Sequence, residues 1–249
     1  MRHHRFEFRL GLLFIALWSA VWLWQNPGAL GDRVRPADVE RYVSVLETAA
    51  IPPDQRAELA RRVRTWLASD DGRPVYMLNL LRYYNELLSF PGAPTDAGTP
   101  VEANRRYEAA AGPLLLARGG YPQYAGVVQG PNLFEAHAGL DHWDRVLLVR
   151  YPNRRAFMEV ITDPKFLAVV RYKFAALSVT LTPTSVEMTI PDLSWLCGAL
   201  LLIAYLSIGW RRAARRAPAA TEHSAAAPRR VAVRAGMGAS LSARYRTRM

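Results

Sequence analysis

Two uncharged apolar runs lie near the two ends of the chain, and the apolar positions between them follow first helical and then mixed helical and strand spacing. Leu10 to Leu30 reads LGLLFIALWSAVWLWQNPGAL and carries no charge. Leu193 to Trp210 reads LSWLCGALLLIAYLSIGW and is also uncharged. A helix rises about 1.5 Å per residue, so about 20 residues span the hydrocarbon core of a bilayer. The runs therefore predict transmembrane helices over residues 10–30 and 193–210. A buried core helix would show polar residues on one face every three or four positions, and the second run shows none. Trp18, Trp22 and Trp24 suit a membrane interface, where an indole keeps its N–H wet. The first run also fits the hydrophobic region of a secretory signal, with Ala29-Leu30-Gly31 as a small-x-small cleavage site. An uncleaved anchor is the reading adopted, with cleavage as the alternative.

After the first run, Pro36 opens a helix in which Val39, Tyr42, Val43 and Leu46 recur at helical spacing. Ile51-Pro52-Pro53 breaks it. Asp54 starts a second helix with Leu59, Val63, Trp66 and Leu67 on one face, ended by Asp70-Asp71-Gly72. Residues 36–69 thus predict a helical hairpin.

Residues 74–190 change rhythm. Pro74 to Leu81 reads as a buried strand, and Ser89 to Pro100 as a loop of Gly, Pro, Thr and Asp. Val101 to Arg118 is a helix closed by Gly119-Gly120. Strands follow at Tyr124–Val128 and Trp143–Tyr151. Asn153 caps a helix that runs to Ala176, with a break at Asp163-Pro164, and Leu177 to Glu187 is a last strand. The order β-α-β-β-α-β predicts an α+β, ferredoxin-like split βαβ fold. Helices cover one face of such a sheet. Yet Val146 and Leu148 point one way, Leu147 and Val149 the other, and all four are apolar. A second copy of the sheet, forming a dimeric barrel, would cover the remaining face. The helical hairpin is the alternative cover.

Charge adds a topology. The net charge of +11 resides in the ends: residues 1–9 contribute +2 and residues 211–249 contribute +9, so residues 10–210 are neutral. A basic stripe on the folded part is missing, so nucleic acid is not an expected partner. Arg2, Arg5 and Arg9 precede the first run, and Arg211, Arg212, Arg215 and Arg216 follow the second. The positive-inside rule then places both termini in the cytoplasm and residues 31–191 outside, in a two-pass protein of a bacterial inner membrane. Arg33 and Arg35 run against this and are partly offset by Asp32. From Ala217 the tail is rich in Ala, Arg, Ser and Pro and predicts a basic disordered cytoplasmic segment. Cys197 is the one cysteine, which excludes a disulfide within the chain and a cysteine metal cluster.

Several short stretches carry a likeness. They are Asn79-Leu80-Leu81-Arg82-Tyr83, the segment from Tyr107 to Pro113 with Gly119-Gly120, and WDRVLLVRYPNRRAF from Trp143, followed by Asp163-Pro164-Lys165-Phe166. Over residues 74–185 the chain resembles the domain of unknown function 1330 family. The resemblance implies a dimeric α+β barrel, a fold shared by antibiotic-biosynthesis monooxygenases, muconolactone isomerases and haem-processing proteins. It implies no particular activity. The flanking apolar helices and the loop at 85–100 depart from the family pattern.

Polar groups at strand ends beside apolar ones suggest a small-molecule pocket. Tyr83, Asp144 and Arg150 are the candidate catalytic groups: a tyrosine or aspartate moves a proton, and an arginine holds an anionic substrate or enolate. Asn79, Arg82 and Tyr151 are the candidate substrate-binding residues. The structural alternative is that Asp144 braces the sheet edge. Glu135, His137, Asp141 and His142 place two imidazoles and two carboxylates in one loop, a weak metal signal because no helix fixes their geometry. No metal or cofactor is expected. No phosphate-binding loop, dinucleotide fingerprint, nucleophile elbow or zinc-protease motif is present in the sequence. Two functions stay open: a membrane-anchored domain that binds or converts a small apolar or aromatic molecule, and a non-catalytic dimerisation module of a membrane complex.

Overall fold

The computed structural model describes residues 4–131, 133, 142–185 and 192–216. Among them are seven α-helices and one four-stranded antiparallel sheet, an α+β architecture. The chain divides into two units, residues 1–202 and 203–249; the described part of the second is the continuing last helix.

Helix α1 spans His4–Gln25. It stops before Leu30 because Pro27 disfavours helical geometry at the preceding residue, and Asn26 sits at φ −136°, ψ 58°. A 3-10 turn, Pro27–Leu30, follows and closes on Gly31 at φ 80°, a left-handed conformation that glycine adopts without strain. Helix α2 (Pro36–Glu47) and helix α3 (Pro53–Ala68) come next. The last helix, α7, covers Leu193–Arg216. Both α1 and α7 are long and apolar enough to cross a membrane. Leu13, Ile15 and Leu17 of α1 and Leu196 and Leu200 of α7 are exposed. The two helices touch near the domain: Trp18 Nε1 donates to the Ser194 carbonyl at 3.0 Å. Gly198 leaves room for that indole, since a Cβ there would lie 2.7 Å from Trp18 Nε1.

Between them, β1 (Val75–Tyr83) leads through α4 (Pro100–Ala117) to β2 (Tyr121–Val127) and β3 (Arg145–Tyr151). Helices α5 (Arg154–Ile161) and α6 (Pro164–Ala176) then return the chain to β4 (Leu177–Thr184). The sheet order is β2-β3-β1-β4, antiparallel at every junction. Local signals set the helix starts. Thr99 and Glu102 form a capping box at α4; Asn153 Oδ1 accepts from Ala156 N at 2.8 Å, and Asp163 Oδ1 from Lys165 N at 2.8 Å.

Val75 and Met77 of β1 and Val149 and Tyr151 of β3 face the helices and join Ala111, Phe157, Met158 and Val170 in the main core. Because side chains alternate, Asn79, Leu81 and Tyr83 face the same way. The hairpin buries Tyr42, Val43, Leu46, Val63 and Leu67 into this core. Trp66 packs edge-on to Phe157 at 5.7 Å, and Phe157 edge-on to Tyr151 at 5.1 Å. The hairpin thus adds to the helix layer and is not the cover of the opposite sheet face. On that face Leu78, Leu80, Val146 and Leu148 are half-buried.

Candidate functional site

Asn79 is the polar interruption on the helix-facing side of β1, only 4% exposed. Its Nδ2 donates to the Met77 carbonyl at 3.0 Å and the Leu147 carbonyl at 3.3 Å. That fixes the amide and aims Oδ1 at α6, where it accepts from Lys173 Nζ at 3.2 Å. Lys173 is half-buried, and its Nζ lies 5.3 Å from the centre of the Tyr107 ring. Among the described residues it makes no ion pair. Burial brings its ammonium down from the ordinary 10.5 to about 8, against the opposing pull of nearby Glu108. Burial also pushes the Tyr107 phenol up, so that group stays neutral.

A second set of polar contacts adjoins this pair. Arg145 Nη1 donates to Glu108 Oε1 at 2.6 Å, and Asn104 Nδ2 donates to the same oxygen at 3.0 Å. Asn104, 2% exposed, also lies 3.2 Å from the Tyr83 hydroxyl, which Arg145 Nη1 approaches at 3.4 Å. The Glu108 charge is therefore taken up by Arg145 rather than by Lys173. Burial thus moves the Lys173 amine toward the range in which it can lose its proton. Arginine at this position would keep its proton.

The six residues singled out from the sequence occupy several places. Tyr83 and Asn79 belong to this cluster. Asp144 touches Tyr83 by a structural bond: its Oδ2 accepts from Tyr83 N at 2.6 Å. Asp144 N donates to the Leu81 carbonyl at 2.8 Å, and its own carbonyl accepts from Val128 N at 2.9 Å. It extends the ladder at the strand ends. Arg150 stands at the other end of the sheet, opposite Tyr76. Seven strand residues separate that level from Tyr83, roughly 23 Å. Arg150 thus does not join Tyr83 and Asp144 in one catalytic group. Arg82 points to the opposite face, its guanidinium 5.9 Å from the Trp143 ring. Tyr151 is core, edge-on to Phe157, and burial pushes its phenol up. Of the loop candidates, Glu135, His137 and Asp141 lie outside the described residues, and His142 is exposed.

Lys173, Arg145, Glu108 and Asn104 were not singled out from the sequence. One signal was available. Of 32 basic side chains only two are lysine, Lys165 and Lys173, and Lys173 interrupts the apolar helix FLAVVRYKFAA.

No family model matches the chain, the domain of unknown function 1330 family included. No protein of curated function matches it either. Among solved structures it is similar to two of the RPA0582 protein, one methylated and one described as a protein of unknown function from Rhodopseudomonas palustris. Each is 27% identical; they cover 51% and 53% of this chain and 91% and 94% of their own, with a TM-score of 0.45. SnoaB, a cofactor-independent oxygenase from Streptomyces nogalater, is 13% identical over 48% of this chain and 99% of its own, with a TM-score of 0.31. At these scores none of them assigns a function.

Proposed function

We propose that the chain is a membrane-anchored protein whose α+β domain, ferredoxin-like in order, binds a small apolar or aromatic molecule and acts on it by acid–base chemistry without a cofactor. One observation carries this reading: Lys173 is half-buried between Asn79 and Tyr107 and, among the described residues, forms no ion pair. An ammonium placed so loses hydration that the nearby Glu108 charge only partly offsets, which costs stability. The arrangement makes sense when the amine meets a ligand. Lys173 would take a proton from it, and Arg145 with Tyr83 would hold a developing anion.

The anchor rests on α1 and α7, and the orientation on the arginines that flank them. A second copy covering Leu78, Leu80, Val146 and Leu148 would complete a barrel. Exposed Tyr124, opposite Leu148 on the same face and 58% exposed, also favours the assembly-module reading, in which that face is the functional part.

Native mass spectrometry of the full chain in mild detergent separates the two. A reproducible small-molecule mass on the wild type, lost from a folded Lys173→Met variant, is the expected result. A chain free of small molecules, or an equal mass on Lys173→Met, overturns the binding site and leaves the assembly reading.

A further inference from the structure

A cavity of about 590 Å³ opens at the end of the sheet where β1 begins and β3 finishes. Tyr76, Arg150, Arg154, Arg73, Asp192 and Trp195 line it. It is separate from the Lys173 cluster, which lies on the other face and toward the other end of the strands. Its floor is Arg150, whose side chain is 1% exposed. Arg150 Nη1 donates to Gln25 Oε1 at 2.6 Å, and Nη2 donates to the Gln25 carbonyl at 3.1 Å and to Asp192 Oδ2 at 3.2 Å. Its Nε, equally enclosed, has no hydrogen-bond partner among the described residues. Arg56, Arg155 and Arg171 also leave Nε without a hydrogen bond among the described residues, but of these arginines Arg150 alone lines the cavity, and a buried donor without an acceptor is costly.

Two more arginines line the cavity, each facing a carboxylate, and Asp71 lines it with them. Arg154 stacks on Trp66 at 5.0 Å and reaches Asp70 at 3.6 Å. Arg73 stands at the rim, 84% exposed, with Asp71 at a loose 3.8 Å. The position in the fold adds the second argument. Gln25 is the last residue of α1, and Asp192 immediately precedes α7, so the cavity sits where both apolar helices leave the domain. Exposed Trp24 and Trp195 mark the same level, the place indoles take at a bilayer interface.

We infer that this cavity is a phosphate-binding pocket for the headgroup of an anionic membrane lipid, with Arg150 as its buried anchor and Arg73 as its outer contact. Guanidinium groups suit phosphate because their planar donors meet two oxygens at once. The lipid source rests on the proposed membrane crossing of α1 and α7; the phosphate chemistry does not.

The test uses the full chain in mild detergent with phosphatidylglycerol, and separately with inorganic phosphate, followed by native mass spectrometry. Wild type is expected to retain one phosphatidylglycerol after the detergent is stripped. Arg73→Gln should weaken that binding about fivefold. Arg105→Gln, an exposed change on α4, should leave it unchanged. Arg150→Lys should weaken it further; if that variant does not fold, Arg73→Gln decides. Competition by inorganic phosphate shows that the phosphate alone suffices, and failure to compete shows that the lipid body is needed; both support the pocket. Equal retention by wild type, Arg73→Gln and Arg150→Lys means adventitious lipid only and overturns it. Release of the wild-type chain from membranes by alkaline carbonate would instead refute the membrane reading, and inorganic phosphate binding would still decide the pocket.

Discussion

Lys173 is one of only two lysines in an arginine-rich chain, and the proposed site rests on it. Its neighbours are specific: Asn79 from β1 accepts its hydrogen bond, the Tyr107 ring from α4 lies over it, and Glu108 from α4 raises its proton affinity without pairing to it. Acylation with limiting anhydride, read by mass spectrometry across pH, should show a midpoint near 8 at Lys173. A midpoint near 10.4, the value of a free lysine, would show that the amine is not enclosed. Stability gives the same sign by another route. The folded chain holds fewer protons on this group than the unfolded chain between about 8 and 10.5, so its contribution to stability increases with pH across that window. Lys173→Met should flatten that increase. Asn79 stood out in the sequence because a strand seldom buries an amide. Lys173 did not, because lysine stems commonly lie along apolar helix faces with the amine in water. Whether the amine end is enclosed depends on how α4 approaches α6, a contact far apart in the chain.

At the scale of elements, Phe157 joins three layers. Its ring meets Trp66 of α3 on one side and Tyr151 of β3 on the other, and it is 5% exposed. Phe157→Ala should cost about 3–5 kcal/mol, through lost burial and the cavity left behind. Urea unfolding followed by tryptophan fluorescence measures it. Phe157→Leu should recover most of the loss if the contact is packing, and a loss under 1 kcal/mol for Phe157→Ala would show that the hairpin is not held through this ring. The alternation of apolar residues made the α+β class readable, since strand and helix periods are local properties. The side on which the hairpin packs was not readable. Periodicity shows that a helix has an apolar face, not which surface receives it. The same limit applies to Arg150, which shares a motif with Val149 and Tyr151 but is turned by strand alternation toward Gln25 and Asp192.

For the whole molecule, the deciding question is whether α1 and α7 cross a bilayer and on which side the domain would then stand. Helix α1 has 22 residues and α7 has 24. At about 1.5 Å per residue each exceeds the roughly 30 Å hydrocarbon core. On the proposed crossing of both helices, the arginines before α1 and at the end of α7 favour the cytoplasm for both ends, which would put the Lys173 cluster outside. Single-cysteine labelling tests this directly, because Cys197→Ser clears the chain of thiols. In that background Ala57→Cys, on the exposed side of α3, should react with a membrane-impermeant maleimide in intact spheroplasts. Ser224→Cys, in the basic tail, should react only after the membrane is opened. The reverse pattern would invert the topology and make any ligand of Lys173 a cytoplasmic one. Labelling of both sites from outside would mean that only one of the two helices crosses, and the arginines at one end would then need a role other than orientation.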